Sequence, residues 1–265
     1  MSKKILLFRG SPRSNIPQVE QWNKKLPCDN LVIRYVPEIK AYHWARDYFL
    51  DNDYDYLAIA TDDIVVKPEH IEQLQKDIDE IDLPVISGYM NVDEKDYPDG
   101  YHNIAYDLAL QDRKLRYWNW LMPKDLPKSN IFRVKFAGFG LTAIRRDIME
   151  QYTFAGDGYI RDPRVAEFEQ KLMDMDSGGL KETPEYDDAA GQLDNILREG
   201  IHMKGASLDL VFAWDCHWGN IPIYCDKRIK MQHLRAHGTH RIGERPSRAY
   251  LYKDGQEIDL GKIKY

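Results

Sequence analysis

An α/β fold with a mostly parallel central sheet is what this sequence predicts, and three observations predict it. Short apolar runs of strand composition recur along the first third of the chain, as "KILLF", "NLVIRYV", "YLAIA" and "PVISGYMNV". Between them lie segments with apolar residues at helical spacing, and polar, turn-forming residues separate the two kinds. Strands that alternate with helices require crossover connections, which place parallel strands in one sheet and helices on its faces.

Each element has its own warrant. "KILLF" ends at the polar loop "RGSPRS", and a short helical pattern follows near "PQVEQWNKKL". After the strand "NLVIRYV", the stretch "IKAYHWARDYFLDN" has helical spacing and closes in turn residues, so "YLAIA" begins a third strand. Pro68 opens "EHIEQLQKDIDEI" as a helix with proline in its first turn and Glu69 near its positive end. "PVISGYMNV" is the fourth strand. Further on, "FRVKFAGFGLTAIRRDIME" reads as a strand, a Gly-containing turn, a strand or helix start, and then a helix with Arg145 and Arg146. In "ASLDLVFAWDCHWGNIPIYCDKRIKMQHL" a helix follows Asp209, Gly219 is placed as its C-cap, and two strands, "IPIYC" and "IKMQH", end at His233.

Composition narrows the function classes. With 265 residues and 43% apolar content, the chain can bury one large core or two small ones. Its 17 Tyr and 6 Trp suit a planar or sugar-like ligand as well as ordinary packing. A net charge of -6 argues against a nucleic-acid partner, which requires a dense Lys/Arg surface. Three dispersed cysteines, Cys28, Cys216 and Cys225, point to a reducing compartment, and hence to the cytoplasm. The opening "MSKKILLFRG" is too short for a signal segment, and no apolar run is long enough for a transmembrane helix.

The stretch "YDYLAIATDDIVVKPEHI" poses the chemical question. Its apolar strand ends in two adjacent carboxylates, Asp62 and Asp63, and apolar residues resume at once. Burying an unpaired carboxylate costs roughly several kcal/mol, and two side by side repel one another. A positive group is therefore expected beside them. In open α/β sheets ligands bind at the carboxyl ends of the strands, where both "RGSPRS" and "TDD" fall. Either the pair holds a hard cation such as Mg²⁺ or Mn²⁺, or it caps the following helix and faces water. Gly138 and Gly140 leave room for a bulky ligand near the backbone, or else mark a tight bend. A histidine at a strand end, His233, is either a metal ligand or a structural residue.

Taken together, "ARD" on a helix, "YLAIATDDIVVKPEHI", "GFGLTAIRRDIM", "SLDLVF" and "IPIYCDKRIKMQHL" resemble the GT-A-fold glycosyltransferases, most nearly the large family-2-like group. The resemblance covers roughly residues 3 to 235 and implies a three-layer sandwich. It also implies transfer of a sugar from a nucleotide-diphosphate donor to a carbohydrate or other hydroxyl acceptor, with Mn²⁺ or Mg²⁺ held by a "DxD"-type motif. Asp63 then looks like the metal-binding carboxylate, Asp62 its neighbour near the sugar or ribose, and His233 the late histidine of the metal or diphosphate site. Asp209 looks like the catalytic base of an inverting enzyme, and Arg46 the helix arginine near the nucleotide. Arg9, Gly10 and Ser11 of the first loop, with Gly138 and Gly140, complete the expected donor site. Thr61 stands where the family's first acid is usual, Leu208 where a glutamate is usual, and Glu38 is the nearest acid after the second strand.

The expected organisation is a catalytic unit over residues 1–235, a polar insertion at about 155–205 beside the acceptor site, and a tail over 236–265. The insertion carries helical patches in "PRVAEFEQKLMDM" and "AAGQLDNILREG". The tail begins with Arg235, His237, His240, Arg241, Arg245 and Arg248, and could close over a diphosphate as a lid or remain a solvated surface. Two other classes use a similar strand-end site: a nucleotidyltransferase, and a nucleotide-sugar-binding protein without a base. A nucleotidyltransferase would want a richer Gly and Lys/Arg loop than "RGSPRS" after the first strand.

Overall fold

The computed structural model describes residues 2–11, 16–96, 102–106, 108–113, 117–121, 126–152, 154, 163–181, 183–198, 208–234 and 246–263. The chain begins with β1 (Ile5–Ser11), α1 (Pro17–Asn23), β2 (Asp29–Arg34), α2 (Glu38–Asp51), β3 (Tyr56–Ile59), β4 (Ile64–Val65), α3 (Pro68–Ile81) and β5 (Val85–Tyr89). Four strands follow, β6 (Asn91–Asp96), β7 (His102–Tyr106), β8 (Leu108–Arg113) and β9 (Tyr117–Trp120). Then come β10 (Ile131–Val134), β11 (Phe136–Ala137), β12 (Thr142–Arg145), α4 (Arg146–Gln151), α5 (Pro163–Ser177), α6 (Pro184–Arg198) and α7 (Leu208–Trp218). The last strands are β13 (Ile223–Lys230), β14 (Gln232–His233), β15 (Arg248–Lys253) and β16 (Gln256–Lys262).

Nine of these strands form one sheet, in the order β10-β13-β5-β12-β3-β1-β2-β15-β16. The α/β class expected from the sequence is the one observed, with a pairing pattern that is mixed. Strand β1 pairs in parallel with β2 and β3, and β13 with β5, while β12 runs antiparallel between β3 and β5. Strands β10 and β15 are antiparallel to their neighbours as well. The segment "GLTAIR" thus returns up the sheet as a strand, and Arg146 starts the helix after it.

Alternation along β1 divides the interior into two layers. Leu6 and Phe8 face one side, where they meet Ala41, Tyr42, Ala45 and Phe49 of α2, Ile148 and Met149 of α4, and Phe212, Ala213 and Cys216 of α7. Ile5 and Leu7 face the other side, against Ile71, Leu74 and Ile78 of α3. Helices cover both faces, which gives three layers. The two helical patches of the insertion are α5 and α6, joined by a small core of Leu172, Tyr186, Ala189, Ala190 and Leu193.

The end of the tail belongs to the sheet. Residues 248–262 are a hairpin that extends the sheet, with β15 antiparallel to β2 from Arg248↔Arg34 to Tyr252↔Asn30. The turn between β15 and β16 has left-handed backbone at both Asp254 (φ 50) and Gly255 (φ 75), the conformation for which Asp-Gly is favoured in two-residue hairpins. Arg235, His237, His240, Arg241 and Arg245 lie outside the described residues. Gly219 is also reassigned: Asn220 takes the left-handed position after α7 (φ 54), and a Cβ on Gly219 would fall 2.0 Å from the Tyr152 hydroxyl oxygen.

A buried acidic pair ties α3 to β13. Arg228 Nε donates to both oxygens of Asp226 at 2.9 Å, its Nη2 donates to Asp77 Oδ1 at 2.8 Å, and Gln73 Nε2 donates to the same atom at 2.9 Å. Desolvation, and then a proton shared with Asp226, pushes Asp77 up to about 7. The folded protein therefore holds a proton that the unfolded chain releases near pH 4, roughly. This contribution to stability is complete below the unfolded pKa and disappears as pH rises through about 7. Asp77→Asn keeps a donor for Asp226, so the melting-temperature decline between about pH 6 and pH 8 should shrink by a few degrees, the scale of about 1 kcal/mol. An unchanged decline in the variant would assign the titration to another group.

Candidate functional site

The strand order reverses direction at β1, because β2 lies on one side of it and β3 on the other. The carboxyl ends of β1 and β3 flank this point, where open α/β sheets leave a crevice. Thr61, Asp62 and Asp63 occupy it.

The two carboxylates sit in a β-turn. The amide of Ile64 donates to the carbonyl of Thr61 at 3.2 Å, which puts Asp62 and Asp63 at the two central positions. Helix α3 begins later, with Lys67 as its N-cap and a bond from the Lys67 amide to His70 Nδ1 at 3.2 Å. Asp62 and Asp63 are therefore not caps of α3. Asp63 accepts Thr61 Oγ1 on one oxygen at 2.9 Å, and His233 Nε2 lies 3.4 Å from the other. The backbone makes the same connection. Strand β14 pairs with β4 with His233 opposite Ile64, and the Leu234 amide donates to the Asp63 carbonyl at 2.8 Å. Two residues separated by 170 positions, matched from sequence as a metal pair, are thus brought together. Both are partly shielded, with side chains 18% and 26% exposed.

Asp209 and Glu38 join the group from two further elements. Asp209 is in the first turn of α7, and Glu38 is the first residue of α2. Crowding by protein pushes the Glu38 carboxyl up, and the charges of Asp209, Asp62 and Asp63 push it further. Its side chain nevertheless reaches solvent, the situation of a group in an open cleft. Tyr42, one turn after Glu38, is driven well above the usual phenol range by burial and then by Glu38, Asp209, Asp62 and Asp63. Carboxylates from three separate segments thus bear on Glu38 and Tyr42 in one place.

An aromatic layer fixes that convergence. Tyr42 meets Phe8 of β1 edge-on at 5.0 Å and stacks on Phe139 at 5.8 Å, and Phe139 lies 5.8 Å from Phe212 of α7. Phe154 closes the group, 5.0 Å from Tyr42. Phe139 stands between Gly138 and Gly140, and its carbonyl accepts the Thr61 amide at 3.1 Å. The Gly-Phe-Gly segment is thus docked on the carboxylate turn. The carbonyl of Gly138 accepts Thr142 Oγ1 at 2.8 Å.

Arg9 answers the question of the countercharge. It is 2% exposed, and its Nη1 donates to the carbonyls of Ile64 (2.8 Å) and Thr61 (3.3 Å). Burial pulls its pKa down to about 10, against opposing effects of Cys28, Asp62 and Asp63. The Cys28 thiol is itself pushed up to about 12 by burial, so at neutral pH the lasting negative neighbours of Arg9 are the two aspartates.

Other expected site residues have different surroundings. Arg46 Nε donates to the carbonyls of Met149 and Tyr152, both at 2.9 Å, so it ties the end of α4 to α2 and is not drawn into the carboxylate group. Gly10 lets α2 approach β1, since a Cβ there would meet Phe8 Cζ at 3.0 Å and Ala41 Cβ at 3.2 Å. Ser11 ends β1 opposite Arg34. Sequence reasoning did not assign Glu38 or Tyr42 to the site; their helical spacing with Ala45 and Phe49 reads as an ordinary buried face.

Among the described residues no group of three or more His, Cys, Asp or Glu side chains is set for a metal ion. Asp63 and His233 offer two ligands. Among the same residues no helix is long and apolar enough to cross a membrane.

No protein-family model and no curated protein matches the chain. Among solved structures, the crystal structure of A197 from STIV aligns over 99% of this chain and 98% of its own, at 16% identity and a TM-score of 0.45. CMP:2-keto-3-deoxy-manno-octonic acid synthetase, in complex with CTP, aligns over 67% of this chain and 87% of its own, at 16% identity and a TM-score of 0.33. Both likenesses are too distant to bear on activity. Fold and geometry define an α/β protein with carboxylates gathered at the carboxyl edge of its sheet.

The crowding of Glu38 makes a prediction. A raised folded-state pKa means that its contribution to stability is complete below the ordinary carboxyl range and is lost as pH rises through the folded value. Glu38→Gln should raise the melting temperature by about 1–3 °C near pH 8 and leave it unchanged near pH 4. An equal change at both values would show that the carboxyl is not crowded by charge.

Proposed function

We propose that this cleft binds the diphosphate of a nucleotide sugar together with a divalent cation, and that the protein transfers the sugar to an acceptor hydroxyl with inversion. The observation that supports this reading is the convergence of Asp62, Asp63, Glu38 and Asp209, with His233, at the carboxyl edge of β1 and β3. So much negative charge in one cleft favours a ligand that arrives with a cation.

Asp63 and His233 are the residues that would hold Mn²⁺ or Mg²⁺, a pair suited to a hard cation that takes its remaining ligands from water and phosphate. Bound there, the ion supplies neutralisation of charge on the departing diphosphate. Thr61 fixes one oxygen of Asp63 and leaves the other toward His233, which orients the carboxylate before any ligand arrives. Asp209 accepts the proton of the acceptor hydroxyl as it attacks the anomeric carbon from the face opposite the diphosphate. Glu38, exposed at the start of α2, is placed to hydrogen-bond a sugar hydroxyl beside it. The aromatic layer beneath holds α2 and α7 in register, so the two carboxyls keep their separation through the reaction.

Incubation with a panel of nucleotide sugars and Mn²⁺ tests the reading through its product. Sugar transfer releases nucleoside diphosphate; release of pyrophosphate from nucleoside triphosphate and a sugar acid would instead assign nucleotidyl transfer, and binding without release would leave a carrier. Chelation and Asp63→Ala should each weaken nucleoside-diphosphate binding, and equal affinity in excess EDTA by calorimetry would contradict the metal. Asp209→Asn should leave donor binding intact and lower transfer by roughly 10²-fold or more. Near wild-type transfer by a variant that still binds donor would place the base elsewhere.

A further inference from the structure

We infer that Arg9 is a positioning residue: from beneath, its guanidinium clamps the turn that carries Asp62 and Asp63, and it does not itself contact the ligand. The face on which it leaves the sheet decides the point. Alternation along β1 sets Arg9 on the side of Ile5 and Leu7, against the α3 layer, whereas Phe8 lies on the opposite side with Tyr42, Phe139 and Phe212. The carboxyls of Glu38 and Asp209 belong to elements packed on that opposite side. Arg9 is therefore separated from them by the sheet, and at 2% exposure it offers no surface to a ligand.

Its bonds show what it does. Nη1 spans the two ends of the turn, the carbonyls of Thr61 and Ile64. The amide of Ile64 closes the same turn on Thr61, and the amide of Leu234 reads the carbonyl of Asp63 within it. A cation held in a dry site without a full set of acceptors is unfavourable, and among the described residues Nε and Nη2 of Arg9 have none. Such a group persists where it serves a second element, and here the element is a turn whose two carboxylates repel. The guanidinium supplies a fixed countercharge and a fixed geometry at once, which a lysine could supply only in part. Its value to ligand binding rests on the proposed reading of the cleft; the clamp itself does not.

Amide hydrogen exchange of wild type, Arg9→Lys and Arg9→Met tests this. In both variants Ile64 and Leu234 should exchange at least about tenfold faster, while amides of β3 and β5 stay within about twofold of wild type. A merely stabilising role would speed all of these together. In wild type, the Arg9 Nη protons should give separate, slowly exchanging NMR signals, a reading that needs no variant to fold. Added Mg²⁺ and inorganic pyrophosphate should shift the amides of Asp62 and Asp63 and leave Arg9 Nε in place. The clamp is overturned by averaged Nη signals, by unchanged exchange at Ile64 and Leu234 in a folded variant, or by a direct shift of Arg9 Nε. Should the clamp signals hold while pyrophosphate moves no amide at all, the proposed function fails and the clamp stands.

Discussion

A guanidinium buried beneath two adjacent carboxylates is the constraint on which the rest of this structure depends. An apolar strand cannot end in Asp62 and Asp63 and then re-enter the core at Ile64 unless their repulsion is offset locally. Arg9 does so from the end of the neighbouring strand, and the parallel pairing of β1 with β3 brings it there. The turn is thereby held in place, and β14 docks on β4 with His233 beside Asp63. The contact between Asp63 and His233 thus rests on a turn that Arg9 helps to hold.

The opposite face of the sheet solves a different problem. Glu38 and Asp209 come from helices far apart in sequence, and their mutual repulsion would separate them if nothing rigid lay below. Tyr42, Phe139, Phe154 and Phe212 form that floor, and their edge-to-face and stacked contacts restrict how α2 and α7 can move. The Phe139 carbonyl accepts the Thr61 amide, so the floor and the turn share a hydrogen bond. The raised pKa of Glu38 is the mark of that crowding.

Much of this was legible in the sequence, and the reasons for the rest are physical. Strands β1, β2, β3 and β5 and helices α2 and α3 announce themselves by periodicity, because each buries one face in a single layer. The pairing of Asp63 with His233 was visible through family resemblance alone, since nothing local links positions so distant. The antiparallel run of β12 was hidden, for a short apolar segment carries no sign of its direction. The closing hairpin was not hidden: "YKDGQE" contains the Asp-Gly signal, and the neighbouring basic residues drew attention from it. A charged residue at a strand end suggests a ligand contact, whereas the alternation of Ile5, Leu7 and Arg9 sets the Arg9 side chain in the buried layer. Arg46 was similarly misleading, as its carbonyl partners on α4 lie about a hundred residues away.

The central claim is that a nucleotide diphosphate and a divalent cation meet at the turn that Arg9 holds. Anomalous diffraction at the manganese edge, from crystals grown with Mn²⁺ and a nucleoside diphosphate, addresses it directly. The account predicts one peak bounded by Asp63 and His233, with the diphosphate on its open side and Asp209 facing the space beyond. A nucleotide seated at the opposite end of the sheet, or a peak with neither residue as its ligand, would contradict it.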